Sequence, residues 1–596
     1  MTRTDSRIAY ESLLAPQIDA LSLSRRRFLG SSLAVGGAAS LPWWLPDDAH
    51  AGAPLGADDR ILVPVMLGGG IDYLNTIVPY DSGHYHARRP TLAVSGNEVV
   101  ALAPGKYVNH RLGRLAARYR AGHVAFVEGV GEASDDHSHF SSMARYLAGR
   151  SSGPPSSGWL GRWLGAAGLD ALGGVSIGDR GVPLHLQGSP GGATALPTHG
   201  DLYGGNRSER WERDTQDAII ALGGRPIGVG PYGDLAAWSA GSALTLAAQI
   251  EPLYDAATSD GLVRDLELAA DMINLDIGCR VISVAQDGYD THDDQAQPFN
   301  ELLSELDLAI DRFFNRVAPA FRARVCLLLF SEFGRRPEEN GSRGTDHGTA
   351  GLMVAVGQRV RGGFHGQAPS LADLDQRRDL KHTVDFRSVY SNVVEHWLGG
   401  DPASVIGQRY GGLDLFRRPG PGGFYDVDAS AYFGPAVGWL STTGITSGTA
   451  AGEFTPGGLV TRAQMAVFLW RPKGQPSAPA SSFRDVPRGA WFTPAVDWLV
   501  TTGITAGTTP TTYEPERVLN RAEMATFLWR MEGRPSAPRH SFRDVPRGSF
   551  FDDAVSWAVN AGITQGLSAT RFAPKDPINR AQMATFLWRL EGEPVV

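Results

Sequence analysis

The chain is short of cysteine, of basic charge and of long apolar runs, and each shortage excludes something. Two cysteines in 596 residues, Cys279 and Cys326, do not make a disulfide framework. Cys326 sits within Val325-Cys326-Leu327-Leu328-Leu329-Phe330 and reads as a small buried hydrophobe, although a single bridge to Cys279 stays open. A formal net charge of −8, with no dominant basic patch, argues against nucleic acid as a partner. The glycine-rich turn at 68–70 is not GxGxxG and carries no P-loop lysine, so neither nucleotide fingerprint is present. Beyond the first 51 residues no stretch is long and apolar enough to span a bilayer.

What is present begins with an export pattern. Ser24-Arg25-Arg26-Arg27-Phe28-Leu29 leads into an apolar, Gly- and Ala-rich stretch ending near Leu45, and Ala49-His50-Ala51 supplies a small-x-small cleavage site. Paired arginines followed by Phe-Leu resemble a twin-arginine signal, which places residues 1–51 in an export segment and the mature chain outside the cytoplasm.

Residues 57–418 alternate strand-like and helical patterns. Ile61 to Leu67, Val124 to Val130, Val325 to Phe330 and Leu352 to Val356 read as buried strands. Asn109 to Gly122, Ser138 to Gly149, Pro298 to Val317 and Asp385 to Leu398 read as helices. This alternation predicts an α/β fold with a mainly parallel, doubly wound sheet. Residues 151–260 are richer in Gly, Pro and Trp and read as a capping insertion. Residues 419–423, with prolines and glycines, read as a linker.

Ligands of open α/β sheets gather outside the carboxyl ends of strands. Four polar clusters lie along this region, most of them after strand-like runs. Asp72 follows Gly68-Gly69-Gly70-Ile71, with Thr76 close behind. Ser134-Asp135-Asp136-His137-Ser138-His139 follows the second strand, where it could equally be a solvated helix cap. In Gly288-Tyr289-Asp290-Thr291-His292, extended backbone would turn Asp290 and His292 to one face. Ser331-Glu332-Phe333-Gly334-Arg335 opens a glycine-rich loop that ends in Thr345-Asp346-His347-Gly348. Any one Asp-His pair reads more readily as a solvated turn than as a ligand pair. Together the clusters predict a shared site for a divalent metal (zinc, manganese or magnesium), with Asp72, Asp290, His292, Glu332, Asp346 and His347 as ligands.

From Phe424 onward the sequence repeats every 59 residues. Phe424, Phe483 and Phe542 open three copies, Gly444, Gly503 and Gly562 mark their turns, and Trp470, Trp529 and Trp588 lie near their ends. The units are 424–482, 483–541 and 542–596. In each, a second helix opens after an N-cap residue, Thr461, Asn520 or Asn579.

These motifs carry two resemblances. Residues 68–80, Gly288 to His292, Ser331 to Arg335 and Gly344 to Ala350 resemble the bacterial family called domain of unknown function 1501, over about residues 57–415. That family is similar to the alkaline phosphatase and sulfatase superfamily. The resemblance implies an alkaline-phosphatase-like fold, one or two divalent metals, and a hydroxyl nucleophile attacking phosphate or sulfate esters. Thr76 and Ser138 are the candidates for that catalytic hydroxyl, and no sulfatase Cys-x-Pro-x-Arg motif is present. The repeats resemble surface-layer homology domains, which implies binding of secondary cell-wall polymer or another wall glycan. Arg462, Arg521 and Arg580, each at the start of a second helix, are the implied polymer contacts, with Gln464 and Gln582 standing where the family usually has Glu. The expectation is an exported, wall-tethered protein with a metal-dependent hydrolase-like domain. The alternative is a non-catalytic surface scaffold.

Overall fold

The computed structural model describes residues 54–56, 58–152, 155–170, 172–178, 181–189, 192–199, 210–223, 250–254, 259–449 and 452–595. The expected export segment lies outside the described residues. The chain divides into two compact units, Met1–Phe416 and Arg417–Val596.

Fourteen strands run through the described part of the first unit. They are β1 (Ile61–Gly68), β2 (Ile77–Val78), β3 (Val99–Ala103), β4 (Lys106–Asn109), β5 (Val124–Gly131), β6 (Gly174–Ile177), β7 (Thr194–Leu196), β8 (Val281–Asp287), β9 (Val325–Phe330), β10 (Gly334–Glu339), β11 (Thr345–Gly348), β12 (Gly351–Val356), β13 (Gly363–Gly366) and β14 (Val384–Asp385). The central sheet has the order β13-β5-β12-β9-β1-β8-β6-β7, with β14 also on β5. Only β12 runs against its neighbours, antiparallel to both β5 and β9. The sheet is therefore mainly parallel, as the alternation of strand and helix predicts.

Both faces of the sheet are covered, which is why β1 and β9 are apolar without a break. Ile61, Val63, Val65 and Leu67 pack into one core together with the helix Ala296–Arg316. Leu62, Met66, Cys326 and Leu328 pack into the other, with Trp159, Tyr390 and Trp397. Cys279 and Cys326 are both buried free thiols.

The structure changes three readings of the sequence. The stretch 151–260, read as an insertion, supplies the edge of the sheet through β6 and β7. These strands of four and three residues are too short to show a period. Val281–Asp287 is a full strand beside β1, so Asp290 and His292 also follow a strand end. The glycine-rich loop after β9 is a hairpin, β10–β11, with Arg335 opposite His347. Its turn is held by Asn340, whose Oδ1 accepts from the Ser342 and Gly344 amides.

In the second unit each repeat contributes two helices: Gly434–Thr442 and Arg462–Trp470, Thr493–Thr501 and Arg521–Met531, Asp552–Asn560 and Arg580–Leu590. Each second helix opens with a reciprocal capping box, Thr461 with Gln464, Asn520 with Glu523 and Asn579 with Gln582. Gln serves this role as well as Glu does. The aspartate of each Phe-x-Asp-Val motif ties its own repeat: Asp426, Asp485 and Asp544 accept from the amides of Phe454, Tyr513 and Phe572. The repeats close on one another in a cycle. The Leu519 amide donates to the Val460 carbonyl, Ile578 to Leu519, and Val460 back to Ile578. One apolar core spans all three.

Candidate metal centre

Adjacent strands β9, β1 and β8 end side by side, so the loops that follow them meet. The loop after β1 needs glycine. Gly69 has φ of +116°, and a Cβ there would lie 2.3 Å from the Asp290 amide nitrogen. Its amide donates to Glu332 Oε1 at 2.9 Å, while the Gly70 and Ile71 amides donate to Ser331 Oγ. The Ser331-Glu332 pair thus pins the glycine turn under the site.

Above it, three imidazoles face one carboxylate oxygen. His292, His347 and His139 place Nε2 at 2.9, 3.1 and 3.4 Å from Asp290 Oδ1. His139, Asp290 and His347 offer ligand atoms that all lie within 4.8 Å of one another. The other nitrogen of each ring points at a group that can only accept. His139 Nδ1 meets Glu332 Oε1 at 2.8 Å, His292 Nδ1 meets Asp346 Oδ1 at 3.3 Å, and His347 Nδ1 meets the His137 carbonyl at 2.8 Å. In the tautomer that keeps the proton on Nδ1, each Nε2 turns a lone pair inward. His292 and His347 bring two such lone pairs within 3.0 Å of each other. In that tautomer a bound cation would satisfy the facing lone pairs.

Without a cation, a proton on an Nε2 can take its place. Burial pushes His139 down, but its hydrogen bonds to Asp290 and Glu332 outweigh this and hold its pKa at about 9. Burial pushes His347 below the ordinary histidine range. Burial opposes ionisation of Asp290, yet the three imidazoles and Arg335 hold it far below the usual carboxylate range. The donor set, three imidazole nitrogens and one carboxylate, fits a divalent transition-type cation. The acceptors behind each imidazole are the usual orienting groups of such sites.

Of the expected ligands, Asp290, His292 and His347 come together. Glu332 and Asp346 stand one step behind, orienting His139 and His292. Asp72 is engaged elsewhere. It caps the turn Tyr73–Thr76, pairs with Arg89 Nη1 at 2.5 Å and accepts from Gln295 Nε2. The Thr76 hydroxyl is buried and donates to the Asp72 carbonyl at 2.7 Å. Ser138 is the N-cap of the helix His139–Ala148 and makes no side-chain capping bond. His139 was hidden by its surroundings: in His137-Ser138-His139 the sequence alone does not say which imidazole faces inward. Arg335 belongs to a recognised motif, but nothing in its spacing gives it a role.

Comparison with known proteins agrees with the motifs. Residues 265–407 match the family described as "Protein of unknown function (DUF1501)". Residues 423–466, 482–525 and 541–584 match the S-layer homology domain. The chain carries a DUF1501 region followed by three S-layer homology domains.

The DUF1501 match includes Asp290, His292, Arg335 and His347, while His139 lies upstream of it. An S-layer protein of Bacillus thuringiensis subsp. finitimus is 28% identical over 178 residues, 28% of this chain and 21% of that protein. The surface-layer 125 kDa protein of Lysinibacillus sphaericus is 33% identical over 102 residues, 17% of this chain and 9% of that protein. The matched part therefore spans about a fifth or less of these curated relatives. A solved structure of an alkaline phosphatase superfamily protein from Vibrio parahaemolyticus aligns at 8% identity and a TM-score of 0.29, covering 65% of this chain and 78% of that one. A likeness that distant carries nothing about activity.

In the S-layer homology domains the three arginines are clamps. Each is 4% exposed. Arg462 Nε donates to the Tyr513 carbonyl, Arg521 Nε to Phe572 and Arg580 Nε to Phe454, so each repeat grips the next and the third grips the first. Each guanidinium also lies over two aromatic rings, Phe454 and Phe468 in the case of Arg580. Little of these groups is left for a ligand. Among the described residues, no helix is long and apolar enough to cross a membrane.

Proposed function

We propose that this is an exported, cell-surface protein anchored through residues 417–596 to a wall glycan, and that its first unit is a zinc-type, metal-dependent hydrolase of phosphate or sulfate esters. The observation that carries the second part is the convergence of three imidazole Nε2 atoms on Asp290 Oδ1, each ring locked by an acceptor behind it. The S-layer homology matches support the first part.

A bound cation would polarise the ester's non-bridging oxygen and offset charge developing there. The chain's own residues do the rest. His139, His347 and Asp290, with His292 beside them, would hold the cation, and Glu332, Asp346 and the His137 carbonyl hold the rings in place. Of the two expected nucleophiles, Ser138 is the one carried forward, since the buried Thr76 hydroxyl donates to the Asp72 carbonyl. Ser138 lies between His137 and His139 at the start of a ten-residue helix, whose free amides favour a phosphate or sulfate group.

The test is hydrolysis of aryl phosphate and aryl sulfate monoesters by the zinc-loaded full chain, beside Ser138→Ala and Asp290→Asn. Turnover by the wild type and its loss in both variants is expected. A fully loaded wild type that cleaves neither ester would leave a wall-bound scaffold instead. For the anchor, purified wall material should retain the wild-type chain and release a chain ending at Phe416; equal retention of both would refute it.

A further inference from the structure

We propose that the centre holds a single divalent cation, because Arg335 supplies a second, built-in positive charge. This rests on the metal reading above and goes beyond it by fixing the number of metals and the role of this arginine.

Arg335 is 1% exposed, and its guanidinium is held on every side. Nε donates to the Gly70 carbonyl at 2.9 Å and Nη1 to the Thr345 carbonyl at 2.6 Å. Nη2 meets the carbonyls of Gly69 and Tyr289 and lies 2.5 Å from Asp290 Oδ1. That is the same oxygen the three imidazoles face. The acceptors come from the loops after β1 and β8 and from β11, so the folding of the whole site fixes where this charge sits. A guanidinium carries its charge permanently and can neither leave nor be exchanged.

Most of the remaining carboxylate oxygens in the cluster already have partners. Glu332 Oε1 is taken by the Gly69 amide and His139, and its Oε2 lies 3.1 Å from Ser331 Oγ. Asp346 Oδ1 is taken by Asn340 and His292. Asp72, the other carboxylate expected here, is already paired with Arg89. The Arg335 guanidinium lies against Asp290, the carboxylate that all three imidazoles face. A second divalent cation would have to sit against this fixed, buried guanidinium.

Native mass spectrometry of the full chain titrated with zinc counts the ions directly. The wild type should take one zinc at low excess and show no second tight ion. Arg335→Lys, which keeps the charge, should also take one, more weakly because a lysine cannot make the same set of bonds. Arg335→Gln removes the charge and should admit a second ion or a monovalent companion. A wild type that binds two zinc ions with similar affinity overturns this inference while leaving the metal reading intact. A wild type that binds none overturns the metal reading itself. Should Arg335→Gln fail to fold, the wild-type count and Arg335→Lys still decide the matter.

Discussion

Glu332 touches no cation directly in this account, yet its charge should set the affinity of the site. It is fully buried, and its Oε1 accepts from His139 Nδ1 at 2.8 Å and from the Gly69 amide at 2.9 Å. Glu332→Gln keeps the shape and an acceptor oxygen for both donors, and the new amide can donate toward Ser331 Oγ. What is lost is the negative charge behind His139, which makes its Nε2 a stronger ligand. Loss of such a partner weakens metal binding by about 10–100-fold, or roughly 1.4–2.7 kcal/mol. The assay is competition for zinc against a chelating dye, with urea unfolding in excess chelator as the control for the fold. Affinity should fall within that range while the chelated proteins unfold at similar urea. Glu332→Ala should lose more on both counts, since the Gly69 amide would then be orphaned. An affinity in Glu332→Gln within about twofold of wild type would refute the carboxylate–imidazole–metal arrangement, because the predicted loss starts near tenfold.

Two more predictions concern stability. Arg580→Lys removes the Nε donor to the buried Phe454 carbonyl and weakens the stacking on Phe454 and Phe468, which should cost the second unit roughly 2–4 kcal/mol by urea unfolding of residues 417–596. A loss below about 0.5 kcal/mol, typical of a surface change, would show that the clamp is idle. Burial, opposed by Arg145, pushes Glu132 from an ordinary 4.5 up to about 7. The folded chain therefore keeps a proton that the unfolded chain has released across that window, and stability falls as pH rises through it, by up to ~3 kcal/mol. Glu132→Gln should flatten this slope between pH 5 and pH 8, and an unchanged slope would contradict it.

Much of the fold could be read from the sequence because its signals are local. β9 matches its apolar run residue for residue, and β1 and β5 exceed theirs by one residue, since strands buried on both faces announce themselves as unbroken hydrophobic stretches. The 59-residue period exposed the repeats for the same reason. The site was less legible because its logic is spatial. Asp290, His292 and His347 could be named from motifs, but which carboxylate ligates and which only supports depends on ring orientation. Glu332 and Asp346 look like ligands in a sequence and stand behind the imidazoles in space. Asp72 looks like one too, and only the fold brings Arg89 to it. The arginines of the repeats show the same limit: position at a helix start does not tell a solvent-facing cation from one gripping the next repeat.

The most direct test of the central claim is the divalent metal content of the full chain, expressed and purified without chelator and measured by plasma mass spectrometry beside Asp290→Asn. About one equivalent is expected in the wild type, and in the variant a loss of at least tenfold in affinity, seen as near-empty protein after dialysis. A wild type that carries no stoichiometric metal and takes up none on addition of zinc or manganese would contradict the claim.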